Sequence, residues 1–179
     1  ILCDQYPDNL SYRAQKASET MQNGDHQKAI DILDDILKKN PYNFSSLTSR
    51  GHAQKTLGKT NEAINSYQSA YKIKPDHGEA FFSLANLKTY SFTKNELDSM
   101  REQVARVDLS QRDRTYFHFA LAQGCEVNGE YEEAFFHLVK GNQIKNEQSQ
   151  YSIERMDKEL QYQIDVCDDS FFSELGTGG

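Results

Sequence analysis

The chain has 179 residues, 37% hydrophobic and 26% charged, with a net charge of −7 at pH 7. That balance fits one globular domain, not a disordered tail. The acidic excess argues against binding nucleic acid or an anionic membrane, which needs clustered Lys and Arg. No run approaches the roughly 18 apolar residues of a membrane helix. Cys3, Cys125 and Cys167 are too scattered for a disulfide framework or zinc ribbon, which fits a reducing, cytoplasmic setting.

The chain opens Ile1-Leu2-Cys3-Asp4, with no Met and no signal segment, and is expected to be a fragment. Its three prolines, Pro7, Pro41 and Pro75, fall 34 residues apart. Gly24 and Gly58 keep the same interval, as do Ala29 and Ala63, and Gly129 with Ala134 starts another copy. Repeats of this length point to stacked helical hairpins. Residues 1–9 then read as the end of a truncated unit, with Leu2 and Pro7 in its last positions.

Residues 10–43 form the first full unit and 44–77 the second. In 44–77, Leu47, Gly51, Gln54 and Leu57 make one helical stripe, and Ala63, Ile64, Tyr67, Ala70, Tyr71 and Ile73 make the next. Gly58 permits the positive φ of a helix stop, Thr60 is expected to cap the following helix, and Pro75 ends the unit. Small residues at mid-helix (Ala17, Gly51, Ala85, Ala122) and opposite them (Ala29, Ala63, Ala134) allow close approach.

Residues 78–114 are a degenerate, longer copy. Phe81, Leu84, Ala85 and Lys88 suit its first helix, and Leu97, Met100, Val104 and Val107 its second. Residues 115–148 restore the pattern with Ala122, Gly129, Ala134, Leu138 and Gly141. Residues 149–175 are expected to form a capping helix through Tyr151, Ile153, Met156, Leu160, Ile164 and Val166, with a Glu154–Lys158 pair on its other side. Residues 176–179 read as a linker or tail.

These marks at fixed spacing resemble the tetratricopeptide repeat. The resemblance implies an all-α, right-handed superhelical solenoid of antiparallel helix pairs, whose concave groove takes a protein or peptide. The groove positions correspond to Thr48, His52 and Lys55, then Glu79, Phe82, Asn86, Thr89 and Tyr90, then Tyr116, Phe119, Gln123 and Glu126. Its expected centre is Phe82, Asn86, Tyr90, Phe119 and Gln123: amides can bond a peptide backbone, and aromatics supply rigid anchors. The carboxylate clamp of chaperone-tail adaptors is missing, since Ala14, Ser18, Ser49, Glu79 and Ser83 stand at its positions. A homo-oligomer is compatible with this pattern.

A narrower resemblance covers roughly residues 75–175. Leu84-Ala85-Asn86-Leu87-Lys88-Thr89-Tyr90, Asp108-Leu109-Ser110, Phe119-Ala120-Leu121 and Gly129-Glu130-Tyr131-Glu132-Glu133-Ala134-Phe135 are similar, in order, to the repeat region of bacterial tetratricopeptide-repeat sulfotransferases. That implies a non-catalytic, substrate-recruiting or dimerising arm of a PAPS-dependent enzyme. The family's PAPS-binding loop has no counterpart here, so no catalytic residue and no cofactor is assigned to these residues. The alternative is a free-standing scaffold with no linked enzyme.

Chemistry within the chain is sparse. His26, His52, His77, His118 and His137 form no metal-binding spacing. His118 and Cys125, seven residues apart, are read as core-packed, and Cys125 as an inert thiol. Asp34-Asp35, with Lys38 and Lys39 at i+4, are read as solvated salt-bridging residues on an exposed helix face.

Overall fold

The computed structural model describes residues 6, 9–148, 153–167 and 171. Pro7, Leu2, Cys3 and residues 176–179 lie outside that set. Among the described residues are nine helices and no strand. They are α1 (Leu10–Gln22), α2 (His26–Lys39), α3 (Phe44–Thr56), α4 (Thr60–Ile73), α5 (Gly78–Ala85), α6 (Lys94–Ala105), α7 (Gln111–Val127), α8 (Tyr131–Gln148) and α9 (Ile153–Val166). The chain divides into two compact units, Ile1–Asn142 and Gln143–Gly179.

The first unit is a helical solenoid. Helices α1 to α5 pack each on the next, and α7 packs on both α5 and α6. Local chemistry sets the breaks. Asn9 Oδ1 accepts from the Ser11 and Tyr12 amides, Asn43 Oδ1 from Ser46, and Ser110 Oγ from Asp113. Gly58 adopts a φ of +73° after α3, a conformation costly for residues with a Cβ. Pro41 and Pro75 stand just beyond α2 and α4. Thr60 is not the cap: it is the first helical residue, and Lys59 before it makes no side-chain cap bond.

The core runs between the helices as the small residues require. Ala17, Ala29 and Ala63 are fully buried. Tyr71, Phe81 and Phe117 form an aromatic column, with centroids 4.4 and 5.3 Å apart. Asp34 and Asp35 are part-exposed and ion-paired, but their partners include residues of neighbouring helices. Asp34 reaches Arg50 of α3 at 2.8 Å, while Asp35 takes Arg13 of α1 and Lys38, both at 3.0 Å.

The third repeat departs most from expectation. Its first helix stops at Ala85 and Asn86 caps it, so Lys88, Thr89 and Tyr90 lie in a loop, with Lys88 at a φ of +54°. The loop buries Phe92 beside Phe81, and a continuing helix could not deliver both. Val107 lies beyond α6 and is 98% exposed, so it belongs to no stripe.

In the second unit, α9 carries Met156, Leu160 and Ile164 along one stripe, all exposed. Tyr151 and the side chains of Ile153, Glu154 and Arg155 lie outside the described set.

Candidate protein-interaction groove

The expected groove residues fall into three groups. Thr48 and His52 are engaged in bonds between helices. Thr48, on α3, is buried, donates to the Phe44 carbonyl and lies 3.0 Å from His77 Nε2. His52 sits between Tyr67 Oη, 2.9 Å from Nδ1, and Glu79 Oε1, 3.3 Å from Nε2. An Nε2–H tautomer serves both: it donates to the carboxylate and accepts from the phenol. This bond and nearby Arg112 hold the Glu79 carboxyl below its ordinary range, against its partial burial. Lys55 is exposed.

The second group is an aromatic ladder on α5 and α7. The Arg112 guanidinium lies 5.5 Å over Tyr116, Tyr116 stacks on Phe82 at 5.2 Å, and Phe82 meets Phe119 at 6.0 Å. Phe82, Tyr116 and Phe119 are all half-buried. The ladder leads into a pocket of about 560 Å³ whose walls include Asn86, Lys88, Phe119, Gln123 and Glu126. The polar side chains of Asn86, Lys88, Gln123 and Glu126 make no hydrogen bond or ion pair with another described residue. Phe82, Asn86, Phe119 and Gln123 are therefore brought together.

Tyr90 is not among them. Its hydroxyl accepts from Gln68 and makes a very short bond to Glu96 Oε1, which also accepts from Tyr71 at 2.7 Å. Glu96 Oε2 accepts from the Thr93 amide and hydroxyl, completing a capping box. Burial would raise the Glu96 carboxyl, but bonds from Tyr90, Thr93 and Tyr71 outweigh it and hold it low. Burial and the same carboxylate push the Tyr90 phenol up to about 12. Thr89 is exposed in the loop.

Two clusters escaped the sequence reading because their members are far apart in the chain. His118 Nδ1 and His137 Nδ1 are 2.9 Å apart and both residues are buried, so His118 bonds His137 and not Cys125. One ring donates and the other accepts, which requires the accepting ring to be neutral and forbids both from being protonated. Burial first, then the His137, Arg114 and Lys140 charges, lower His118 to about 4. Arg101 of α6 joins Asp98, Glu130 and Glu133 at 2.8–3.2 Å and lies 3.8 Å from Cys125 Sγ. Cys125, Glu130 and Glu133 could group around a cation, but the guanidinium already fills that place. Burial raises the thiol to about 11, leaving it protonated and a poor ligand.

Stacked helical hairpins with an open aromatic face define a class of helical-repeat binding protein. Residues 44–77 match the tetratricopeptide repeat. Among solved structures, the chain is similar to PilW, a "widely conserved type IV pilus biogenesis factor" (TM-score 0.59, 19% identity, covering 75% of this chain and 61% of that one). It is also similar to MamA (0.58, 15%, 84% and 86%) and to MamA 41-end from Desulfovibrio magneticus RS-1 (0.55, 16%, 82% and 81%). These likenesses concern the fold. No curated protein matches the chain. Neither the repeat match nor these neighbours point to a sulfotransferase. Among the described residues, no helix is long and apolar enough to cross a membrane.

Proposed function

We propose that the solenoid is a non-catalytic protein-interaction module that holds a peptide segment along Phe82, Tyr116 and Phe119. The observation that carries this reading is the pairing of half-buried aromatics with the unspent amides of Asn86 and Gln123 at one pocket. Amides that bond nothing within the chain are free to bond a peptide backbone, and the aromatics give area with little entropy to lose. Thr48 and His52 support the stack instead, and Tyr90 braces the third repeat.

The test is binding of the purified chain to an array of extended peptides, repeated with Phe82→Ala and Asn86→Ala. Loss of the bound set in both variants, with unchanged helical circular dichroism, is the expected result. An identical set in wild type and variants overturns the reading.

The finer assignment, an arm of a PAPS-dependent sulfotransferase acting in the cytoplasm, rests on the segments between residues 75 and 175. PAPS would belong to a separate catalytic domain, and no residue here is assigned to it. A strand and phosphate loop encoded beyond Gly179 would support this assignment. A stop codon there would favour the free-standing scaffold.

A further inference from the structure

The first helix of each repeat runs out into a residue in the left-handed region of the backbone. Gly24, Gly58 and Gly129 take this place two residues past α1, α3 and α7, at φ of +85°, +73° and +78°. In the third repeat the helix ends early, and the left-handed residue is Lys88, three residues past α5, at a φ of +54°. Among the described residues, no other residue with a Cβ has a positive φ. Glycine enters this region freely, whereas in lysine the Cβ crowds the backbone. The turn itself asks for glycine, so the reason for a lysine lies in its side chain.

That side chain lines the pocket at the end of the aromatic ladder, exposed and bonded to no other described residue. Glu126 stands at the same pocket in the same condition. The two hold neighbouring places in the stack, since Lys88 follows α5 and Glu126 lies in the last turn of α7, which packs on α5. No other charged residue is among the pocket walls. At the far end of the ladder the charges are spent on one another: Glu79 holds Arg112 at 3.1 Å and His52 at 3.3 Å. Lys88 and Glu126 share a cavity without pairing, so both charges face what enters it.

We propose that Lys88 and Glu126 select the charge pattern of the peptide held in the groove. The segment they fit sets one apolar side chain against Phe119, between an acidic residue that meets Lys88 and a basic residue that meets Glu126. This rests on the reading that the pocket holds a peptide, and it names the class of that peptide. Asn86 and Gln123 bond the backbone beside the apolar anchor. Exposed ion pairs add little affinity, but they reject wrong charges. A second acid on the peptide would face Glu126, and a second base would face Lys88.

The test uses the full chain and four fluorescent peptides, capped at both ends and alike except for the two residues flanking one leucine. These are one acid and one base, two acids, two bases, or two serines. Anisotropy should give the mixed peptide a Kd roughly three- to tenfold below that of either like-charged peptide. A net charge of −7 would by itself favour the two-base peptide, so a preference for the mixed one over both is local. Lys88→Glu should move the preference to two bases, and Glu126→Lys to two acids. Lys88→Gly relieves the turn, so it should melt no lower than wild type and still lose discrimination against two bases. A merely structural Lys88 would not separate these two readouts. Binding of all four peptides without preference overturns the proposal and leaves the groove standing. Binding of none overturns both. The proposal also falls if Lys88→Glu leaves the order of affinities unchanged, or if Lys88→Gly keeps the discrimination.

Discussion

Gly51 exists to make room for Tyr67. A Cβ built on Gly51 would lie 2.4 Å from Tyr67 Cε1 and 2.8 Å from Cζ, far inside contact distance. The ring has nowhere to go: Tyr67 is fully buried and its hydroxyl is held by His52 at 2.9 Å. In an exposed helix, Gly→Ala stabilises by about 1 kcal/mol. Here overpacking costs about 1–3 kcal/mol, so the clash wins. Gly51→Ala should lower the urea midpoint at unchanged slope. A raised midpoint would show that the ring can retreat.

Acid should loosen the fourth repeat before it reaches the carboxylates. Folded His118 takes up its proton only near pH 4, against 6.5 for a free imidazole. Below pH 6.5 the unfolded chain therefore binds a proton that the folded chain refuses, and stability falls as pH drops from about 6.5 to about 4. His137 lies on the same side, its value lowered by burial although Glu133 pulls it back. The loss should be on the order of 2 kcal/mol. His118→Asn removes the titrating ring and keeps a hydrogen-bonding group near Nδ1. Unfolding free energies between pH 7 and 5 should slope clearly in wild type and less in the variant. Equal slopes would disprove the role of the pair.

Glu96 ties three segments together, since its carboxylate accepts from Tyr71 on α4, from Tyr90 in the loop and from Thr93 at the start of its own helix. Glu96→Gln keeps the shape but replaces one acceptor oxygen with a donor, facing groups that themselves donate. The cost should be about 1–3 kcal/mol, above the roughly 1 kcal/mol of Thr93→Ala, which removes the cap alone. Equal losses in thermal unfolding would mean that the tyrosines contribute nothing.

What could be read in the chain was whatever repeats. The interval shared by Gly24 and Gly58, and by Ala29 and Ala63, located α1 to α4, because each mark answers a local demand: a positive φ or a close approach. The third repeat was misread at Lys88 because nothing local forbids a helix through Leu87–Tyr90; the distant burial of Phe92 ends it. Pairs such as His118–His137 and Arg101–Glu133 leave no periodic trace, since only the packing of separate helices brings them together. Position in the repeat put Phe82, Asn86, Phe119 and Gln123 near one another, and the ring contact and pocket walls do so too. It could not reveal that Thr48 and His52 are spent inside the stack, because that depends on their partners His77, Tyr67 and Glu79.

Gly141 poses the Gly51 problem with the opposite outcome. A Cβ there would lie 2.9 Å from Phe119 Cε1 and 3.1 Å from Cδ1. Phe119, however, is only half-buried, and its free side faces the pocket. The ring can yield by moving into that space, so overpacking is relieved and the helix-propensity gain of about 1 kcal/mol partly survives. Gly141→Ala should therefore leave the melting temperature nearly unchanged. The displaced ring fills pocket volume and leaves Phe82, so peptide binding should weaken by roughly tenfold, about 1.4 kcal/mol. Stability and binding thus separate at Gly141, whereas at Gly51 stability falls. A variant at Gly141 that melts early yet binds normally would place Phe119 in the core and remove it from the groove.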